Sequence, residues 1–458
     1  MLNYLLRRFL LMFPTLLGIT ILVFTVMAAS PGGITAQTLA HGMDMKPAER
    51  KALEEYYNKR YGLDDPPPIQ YLRWVNNISP IGFVINDKGE LDHFSFTKGS
   101  DLGESFNYGR PVGELIKERL PITLLLNVIT IPLIYIIAII VGVKAATDRG
   151  GRFDVSSNVF MLGLWSVPTM LAGVLMIGFF ANIQHWQWFP TAGLSEFQAL
   201  DMPFLPTGLS LMDVLKTFLF MTAGVVIMTV LSQLRLRQLR TAIAGAVGIG
   251  IGLWMASAHA ENITFNYIAL PLLFVGIMGL MAWTDYLPFR IGGLATIGAG
   301  IGLILALQSM DGVVRGYLFD RIWHLILPVI ALSYGGFAFL AKLTRTSILE
   351  NLSADYARTA RAKGVSEQNV LWVHVFRNSL IPLITVSASL LPALLSGSVI
   401  VESIFSIDGM GKLVIDAVKG RDRELVLSLT LITGFLTLLS YLIADFLYTL
   451  VDPRVSYE

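Results

Sequence analysis

The string SIDGMGKL at residues 406–413 is where glycine and lysine spacing comes nearest to chemistry, that of gripping phosphate oxygens. A phosphate loop cradles the anion with backbone N–H groups, reaches it with a lysine and offers a Ser or Thr hydroxyl to Mg²⁺. Gly411 and Lys412 fit. Ser406, however, stands where the first glycine is needed and Leu413 where the hydroxyl is needed, so no nucleotide site is expected. His324 has no ligand cluster around it in the sequence, so no metal is expected either. The absence of cysteine excludes disulfides and thiol chemistry. No catalytic residue is assigned.

Two kinds of polar group remain. Glu402 and Asp445 fall at or within long apolar runs, where ionisable residues are costly and often functional. They read either as structural contacts or as groups along a translocation path. The second kind is a polar, basic stretch at 356–382, YARTARAKGVSEQNVLWVHVFRNSLIP, set between apolar segments. Ser353 is placed to cap a short helix over 354–363, with Asp355 in its first turn against the positive helix end. Gly364 supplies the stop, because glycine adopts the positive φ of a helix end without steric cost. Ser366 and Glu367 then open a second helix running to about Ser379, with Pro382 opening the next apolar run. Ala357, Ala360 and Gly364 recur at helical spacing and would give a smooth face for a partner; a basic face anchored to anionic lipid is the plainer alternative.

These residues must be positioned by membrane helices. Of 458 residues, 54% are hydrophobic and 15% charged, against roughly 25% charged in a soluble protein. Continuous apolar runs near the 20 residues of a spanning helix occur at 9–29, 120–145, 159–180, 215–233, 241–258, 268–284, 291–309, 325–343, 381–401 and 425–451. They lack the alternation of a membrane barrel. The expected fold is an all-α integral membrane protein of about ten transmembrane helices. The N-terminal run is too long for a signal core, and Met27 spoils a cleavage pattern before Ser30, so it is expected to remain as the first span.

Arg7 and Arg8 put the N-terminus in the cytoplasm by the positive-inside rule, and ten spans return the C-terminus to the same side. In that phase sixteen basic residues fall in cytoplasmic segments, among them Lys144, Arg149, Arg152, Arg235, Arg237, Arg240 and Arg345, against six in the short outer loops. The polar stretch then faces the cytoplasm. The long outer segment, 30–118, reads as folded, with a helix over 46–62 and a hairpin over 83–96 turning at Asp87, Lys88 and Gly89.

ARTARAKG followed by HVFRNSLIP resembles the cytoplasmic loop of permease subunits of binding-protein-dependent ABC importers, in the dipeptide and oligopeptide permease family. LRRFLLMFPTLLGITILVF, RYGLDDP, DLGESF, LPITLLL, VGVKAATDRGGRFD, HLILPVIAL, ESIFSIDGMGKL and YTLVDPR extend the likeness over nearly the whole chain. AKGVSEQNVLWVHVFRNS and YTLVDPRVSYE are most similar to the Yej-type branch, associated with microcin C and other peptide-like substrates.

This resemblance implies a coupling loop, 344–380, that sits on an ATP-binding subunit through Arg358, Ala360, Arg361, Ala362, Lys363, Gly364 and Val365. It also implies a second homologous permease subunit, two ATP-binding subunits that carry the ATP and Mg, and a periplasmic substrate-binding protein landing on 30–118. The chain itself would bind no cofactor and hydrolyse no ATP. One departure is that Arg358-Thr359-Ala360 stands where the general importer motif has Glu-Ala-Ala. The family core has six spans, so the resemblance also implies an N-terminal helix at 1–29, core helices at 119–203 and 321–458, and four inserted spans within 204–320. There Gly248 with Gly252, and Gly298 with Gly302, suit close helix packing. A stand-alone secondary transporter is the alternative; it would ordinarily show an internal repeat and midplane ion groups, and neither is evident.

Overall fold

The computed structural model describes residues 2–30, 51, 55, 58, 65–85, 91–182, 185–186, 188–208, 210–257, 263–285, 287–310, 314 and 316–451. The helix expected over 46–62 lies outside them for the most part. The chain divides into two compact units, 1–172 with 328–458, and 173–327.

The first unit opens with α1 (Leu2–Ala29), then α2 (Pro67–Ile78) and an antiparallel hairpin of β1 (Gly82–Ile85) and β2 (Leu91–Ser95). The hairpin expected over 83–96 is present, and its turn residues 86–90 lie outside the described set. Two apolar helices follow, α3 (Val112–Thr147) and α4 (Arg152–Ser166). The run expected as one span at 159–180 is broken. Val167 is extended (φ −86°, ψ 121°), the conformation that a following proline imposes, and a new helix, α5 (Thr169–Met176), starts after Pro168.

Four helices make up most of the second unit: α6 (Leu211–Ser232), α7 (Arg237–Ser257), α8 (Ile263–Trp283) and α9 (Leu287–Gln308). The long helix α10 (Gly316–Ser353) runs from this unit into the first. The first unit then closes with α11 (Asp355–Ala362), α12 (Phe376–Ile404), α13 (Met410–Lys419) and α14 (Arg423–Val451). Among the described residues eight helices are long and apolar enough to cross a membrane, nine if α4 and α5 count as one broken span. At 29 residues α12 also has the length to cross.

The first unit packs in layers along its helices. Val112, Leu115 and Ile116 of α3 meet Met410, Leu413 and Ala417 of α13 and Leu425 and Leu429 of α14. Further along, Ile134 and Ala138 of α3 meet Met161 of α4 and Ala338, Leu340 and Ala341 of α10. A third layer joins Val143 and Ala146 to Ile348, Ala357, Ala360, Val370 and Val375. Helix α2 is tied in by Tyr71 and Trp74, which pack against Phe24 of α1 and Leu427 of α14.

In the second unit the helices pair in nested fashion, α7 with α8 and α6 with α9. Glycine lines both seams. A Cβ at Gly248 or Gly252 would run into the backbone of Phe274 or Pro271, and one at Gly298 or Gly302 into the backbone of Gly224 or Phe220. Close approach replaces the hydrophobic drive that lipid removes. Thr207 and Val314, flanking the four helices, exchange backbone hydrogen bonds of 3.2 and 3.1 Å. Gly302→Val should therefore force α6 and α9 apart at a cost of about 1–3 kcal/mol. A lowered thermal unfolding midpoint in detergent checks it, with Gly300→Val, which has open space at its Cβ, expected to be nearly silent.

Candidate functional site

The polar loop between α10 and α12 is built from its backbone outward. Helix α10 runs on through Ser353, so that serine does not cap α11; its hydroxyl donates to the Glu350 carbonyl at 2.8 Å. Ala354 takes the N-cap position of α11 with no side-chain cap. At the far end Gly364 sits at φ +79°, as expected. The Val365 N–H donates to the Ala360 carbonyl (3.2 Å) and the Gly364 N–H to Arg361 (2.9 Å), the two bonds of a Schellman stop.

Ser366 does cap the next turn, accepting from the Asn369 N–H. That turn, Glu367–Asn369, passes into a π-helical stretch, Val370–Val375, which is continuous with α12. The separate second helix ending at Ser379, with Pro382 opening a new span, is therefore not found. Pro382 lies inside this continuous helix, where it leaves the Asn378 carbonyl without its helical N–H donor.

The face that α11 presents also differs from expectation. Ala357 and Ala360 are buried against Val143 and Ala146 of α3 and Ile348 of α10. Small side chains let α11 lie close to its own chain, so Ala360 is a packing residue and not an offered contact. Exposed instead are Arg358, Thr359, Ala362, Lys363 and Gly364, with Val365 half-buried. Arg361 braces the turn, donating from Nε to Glu367 Oε1 (2.9 Å) and from Nη1 to the Leu352 carbonyl (3.1 Å).

Two clasps tie together the helices that carry this loop. Ser347 of α10 and Ser379 of α12 each donate to the other's carbonyl, at 3.2 and 3.3 Å, and Asn351 donates to the Ser379 hydroxyl at 3.1 Å. Beside them Asp154, at the start of α4, accepts from Arg345 Nη2 (2.7 Å) and Nε, from the Gly150 N–H (3.0 Å) and from Asn158 (2.8 Å). Charge-assisted bonds of this kind contribute about 1.5–3 kcal/mol, so Arg345→Leu should lower stability by about that amount, read as a fall in the unfolding midpoint that Asp154→Asn partly reproduces.

The opposite end explains the SIDGMGKL string. Glu402 is fully buried at the end of α12. Its carboxylate accepts from Thr123 Oγ1 of α3 (2.7 Å) and from the Lys412 N–H (3.1 Å), while Thr123 in turn accepts from the Met410 N–H (2.8 Å). A Cβ at Gly409 would collide with the Glu402 carboxylate, and one at Gly411 with the backbone of Val399 and then with that carboxylate, so both glycines are required by packing within the chain itself. Asp408 pairs with Arg119 and Lys412; burial works against its charge, but Lys412 and Arg119 outweigh it and hold the carboxyl below its ordinary range. Asp445, in α14, pairs with Arg8 of α1.

A second polar hub fastens the DLGESF region. Asp422 accepts from Ser105 Oγ (2.5 Å) and the Asn107 N–H (3.2 Å). Arg423, buried almost completely, donates to Glu424 Oε1 (2.8 Å) and Gln70 Oε1 of α2 (3.0 Å). Sequence reasoning missed Thr123, Asp154, Arg345, Asp422 and Arg423. Thr123 and Asp154 lie within quoted motifs, whereas Arg345, Asp422 and Arg423 lie outside them, and the partners of these residues lie as far as 353 positions away. Among the described residues there is no group of three or more His, Cys, Asp or Glu able to hold a metal.

Comparison with known proteins agrees in family. The model for binding-protein-dependent transport system inner membrane components matches residues 248–457, and that for the N-terminal region of these membrane components matches 1–127. The chain is 30% identical to the oligopeptide transport system permease protein AppB of Bacillus subtilis (strain 168) over 456 residues, 99% of each chain. It is 26% identical to the inner membrane ABC transporter permease protein YejB of Escherichia coli O157:H7, over 99% of each, and 27% identical to the dipeptide transport system permease protein DppB of Escherichia coli (strain K12), over the full length of both. The chain belongs to the binding-protein-dependent transport system inner membrane components, as a permease subunit of an ABC importer.

Proposed function

We propose that the exposed face of α11, formed by Arg358, Thr359, Ala362, Lys363 and Gly364, is where an ATP-binding subunit docks. The observation that carries this reading is the division of labour within one short helix. Its alanines, Ala357 and Ala360, are spent on packing against α3 and α10, while its cationic and glycine positions are left open to solvent. A face so held moves only with the helices beneath it. ATP and Mg bind to two such partner subunits, and this chain hydrolyses no ATP of its own.

A second homologous permease completes the pathway, and a periplasmic substrate-binding protein delivers the substrate to the outer segment 30–118. The proteins to which the chain is similar are named for oligopeptide, dipeptide and peptidoglycan transport. The cargo proposed here is accordingly a peptide or peptide-like compound, including those of the microcin C kind. The complex sits in the bacterial inner membrane with both termini of this chain in the cytoplasm, and closure of the ATP-binding subunits shifts the helices between inward-open and outward-open states.

The test is to tag the C-terminus, extract native membranes in mild detergent and identify the co-purifying chains by mass spectrometry. A second permease and two ATP-binding subunits are expected. A chain that comes through intact and alone would overturn the assignment.

A further inference from the structure

The charge at one end of the four-helix unit is unbalanced in a way that its own fold does not resolve. Arg237 and Arg240 open α7, and Arg290 lies in the first turn of α9. Arg237 lies over the Trp283 ring, its guanidinium carbon 3.8 Å from the centroid, and donates from Nη1 to Asp285 at 3.1 Å. Arg240, buried, donates from Nε to the Ala282 carbonyl (2.6 Å) and from Nη1 to that of Leu234 (3.0 Å). Arg290 donates from Nη1 to the Thr284 carbonyl at 3.2 Å.

Each guanidinium keeps a buried nitrogen without a hydrogen-bond partner: Nε of Arg237, Nη2 of Arg240 and Nε of Arg290. Arg237 and Arg290 both act electrostatically on Arg240. Asp285 is the one carboxylate facing them among the described residues; it is largely exposed, and it approaches Arg240 Nη2 no closer than 3.9 Å. Three guanidinium groups against one exposed carboxylate, each keeping an unsatisfied donor, call for an anion. The planar fork of arginine suits phosphate oxygens in particular.

What surrounds the cluster decides the source of that phosphate. Leu239, Leu280 and Phe289 flank the arginines and stand exposed on helices apolar enough to cross a membrane, and Leu236 stands exposed in the link just before α7. Trp283 is half-exposed at the same level, the position aromatic side chains take at a membrane–water interface. A soluble anion would use the arginines and leave this apolar collar bare, whereas a phospholipid satisfies both with one molecule. We propose that Arg237, Arg240 and Arg290 form a site for the phosphate of an anionic phospholipid whose acyl chains lie along the collar.

The test uses the full chain purified in mild detergent together with whatever accompanies it. Retained lipid is identified by native mass spectrometry, and the unfolding midpoint is followed on adding phosphatidylglycerol, phosphatidylcholine or inorganic phosphate. Phosphatidylglycerol should be retained and raise the midpoint, phosphatidylcholine much less. In Arg237→Gln with Arg290→Gln its apparent affinity should fall roughly tenfold or more, given the worth of two interfacial cations. Arg240 is left unchanged because it also ties two carbonyls together. Lys216→Gln, which removes a cation from α6 away from the cluster, should behave as the unaltered chain and confirms that the loss is local. Equal retention in the double variant would overturn the site. Stabilisation by inorganic phosphate matching that by lipid would overturn the lipid assignment.

Discussion

Membranes carrying Gly364→Asp should show uptake reduced at least about a hundredfold while the chain is inserted and folded as before. The reasoning has two parts. A Cβ at Gly364 meets no atom within 4 Å, so the substitution creates no clash inside the chain, and Asp tolerates a positive φ better than most residues. The same openness makes the position part of the proposed docking face, where a new carboxylate must be desolvated beside a partner without a matching cation. An unpaired buried charge costs several kcal/mol, and about 2.7 kcal/mol corresponds to a hundredfold loss of occupancy. Gly364→Ala should be far milder, since it adds only backbone strain of about 1–2 kcal/mol. The paired measurement is uptake together with recovery of ATP-binding subunits on the tagged chain. Normal uptake by the aspartate variant would remove Gly364 from the docking face.

The second large effect is expected in stability. Arg423→Ala should lower it by about 3–5 kcal/mol, because Glu424 is then left buried without the guanidinium that neutralises it and Gln70 loses its donor. The stretch from α2 to α3, held through Gln70, Ser105 and Asn107, should loosen with it and become sensitive to added protease at low temperature. Replacing both charges, as in Arg423→Met with Glu424→Gln, should restore much of the loss, since a buried pair exchanged for well-packed neutral groups is often close to neutral. If the single and double variants unfold at the same temperature, the penalty does not come from the stranded carboxylate.

The sequence makes the spanning helices legible because an apolar run of the right length has few other uses, and each expected run falls on observed helix except at 159–180, which breaks at Val167 and Pro168. Helix ends are harder to read. Ser353 has the chemistry of a cap, but α10 keeps its helical hydrogen bonds past it, and the pattern of polar residues is the same in either case. The break at Pro168 was open to reading from the restriction that proline places on Val167; the apolar composition on both sides concealed it. Ala357 and Ala360 show a different limit. Helical spacing identifies a smooth face without saying whether it turns toward a partner or toward the chain's own α3 and α10. Glu402 was recognised as unusual, but Thr123, 279 positions earlier, supplies its hydrogen bond and carries no mark of it in the sequence. Gly248, Gly252, Gly298 and Gly302, by contrast, were read correctly as packing positions, since small residues four apart in lipid have few alternatives.

The nested pairing of α6 with α9 around α7 with α8 leaves the two strands of chain entering and leaving this bundle side by side, joined by the reciprocal bonds of Thr207 and Val314. In topological terms the bundle is a closed detour. Its two ends are already as near as neighbouring strands of a sheet, so excising residues 208–313 and bridging the gap with a short glycine linker closes a loop of almost no span, and closure entropy grows only slowly with linker length. Segments with adjoining ends are the ones that chains gain and lose most readily. What such an excision would cost lies elsewhere, at Trp186, whose ring packs on Ala256 and Leu270 and whose indole N–H donates to Asn266 at 3.0 Å.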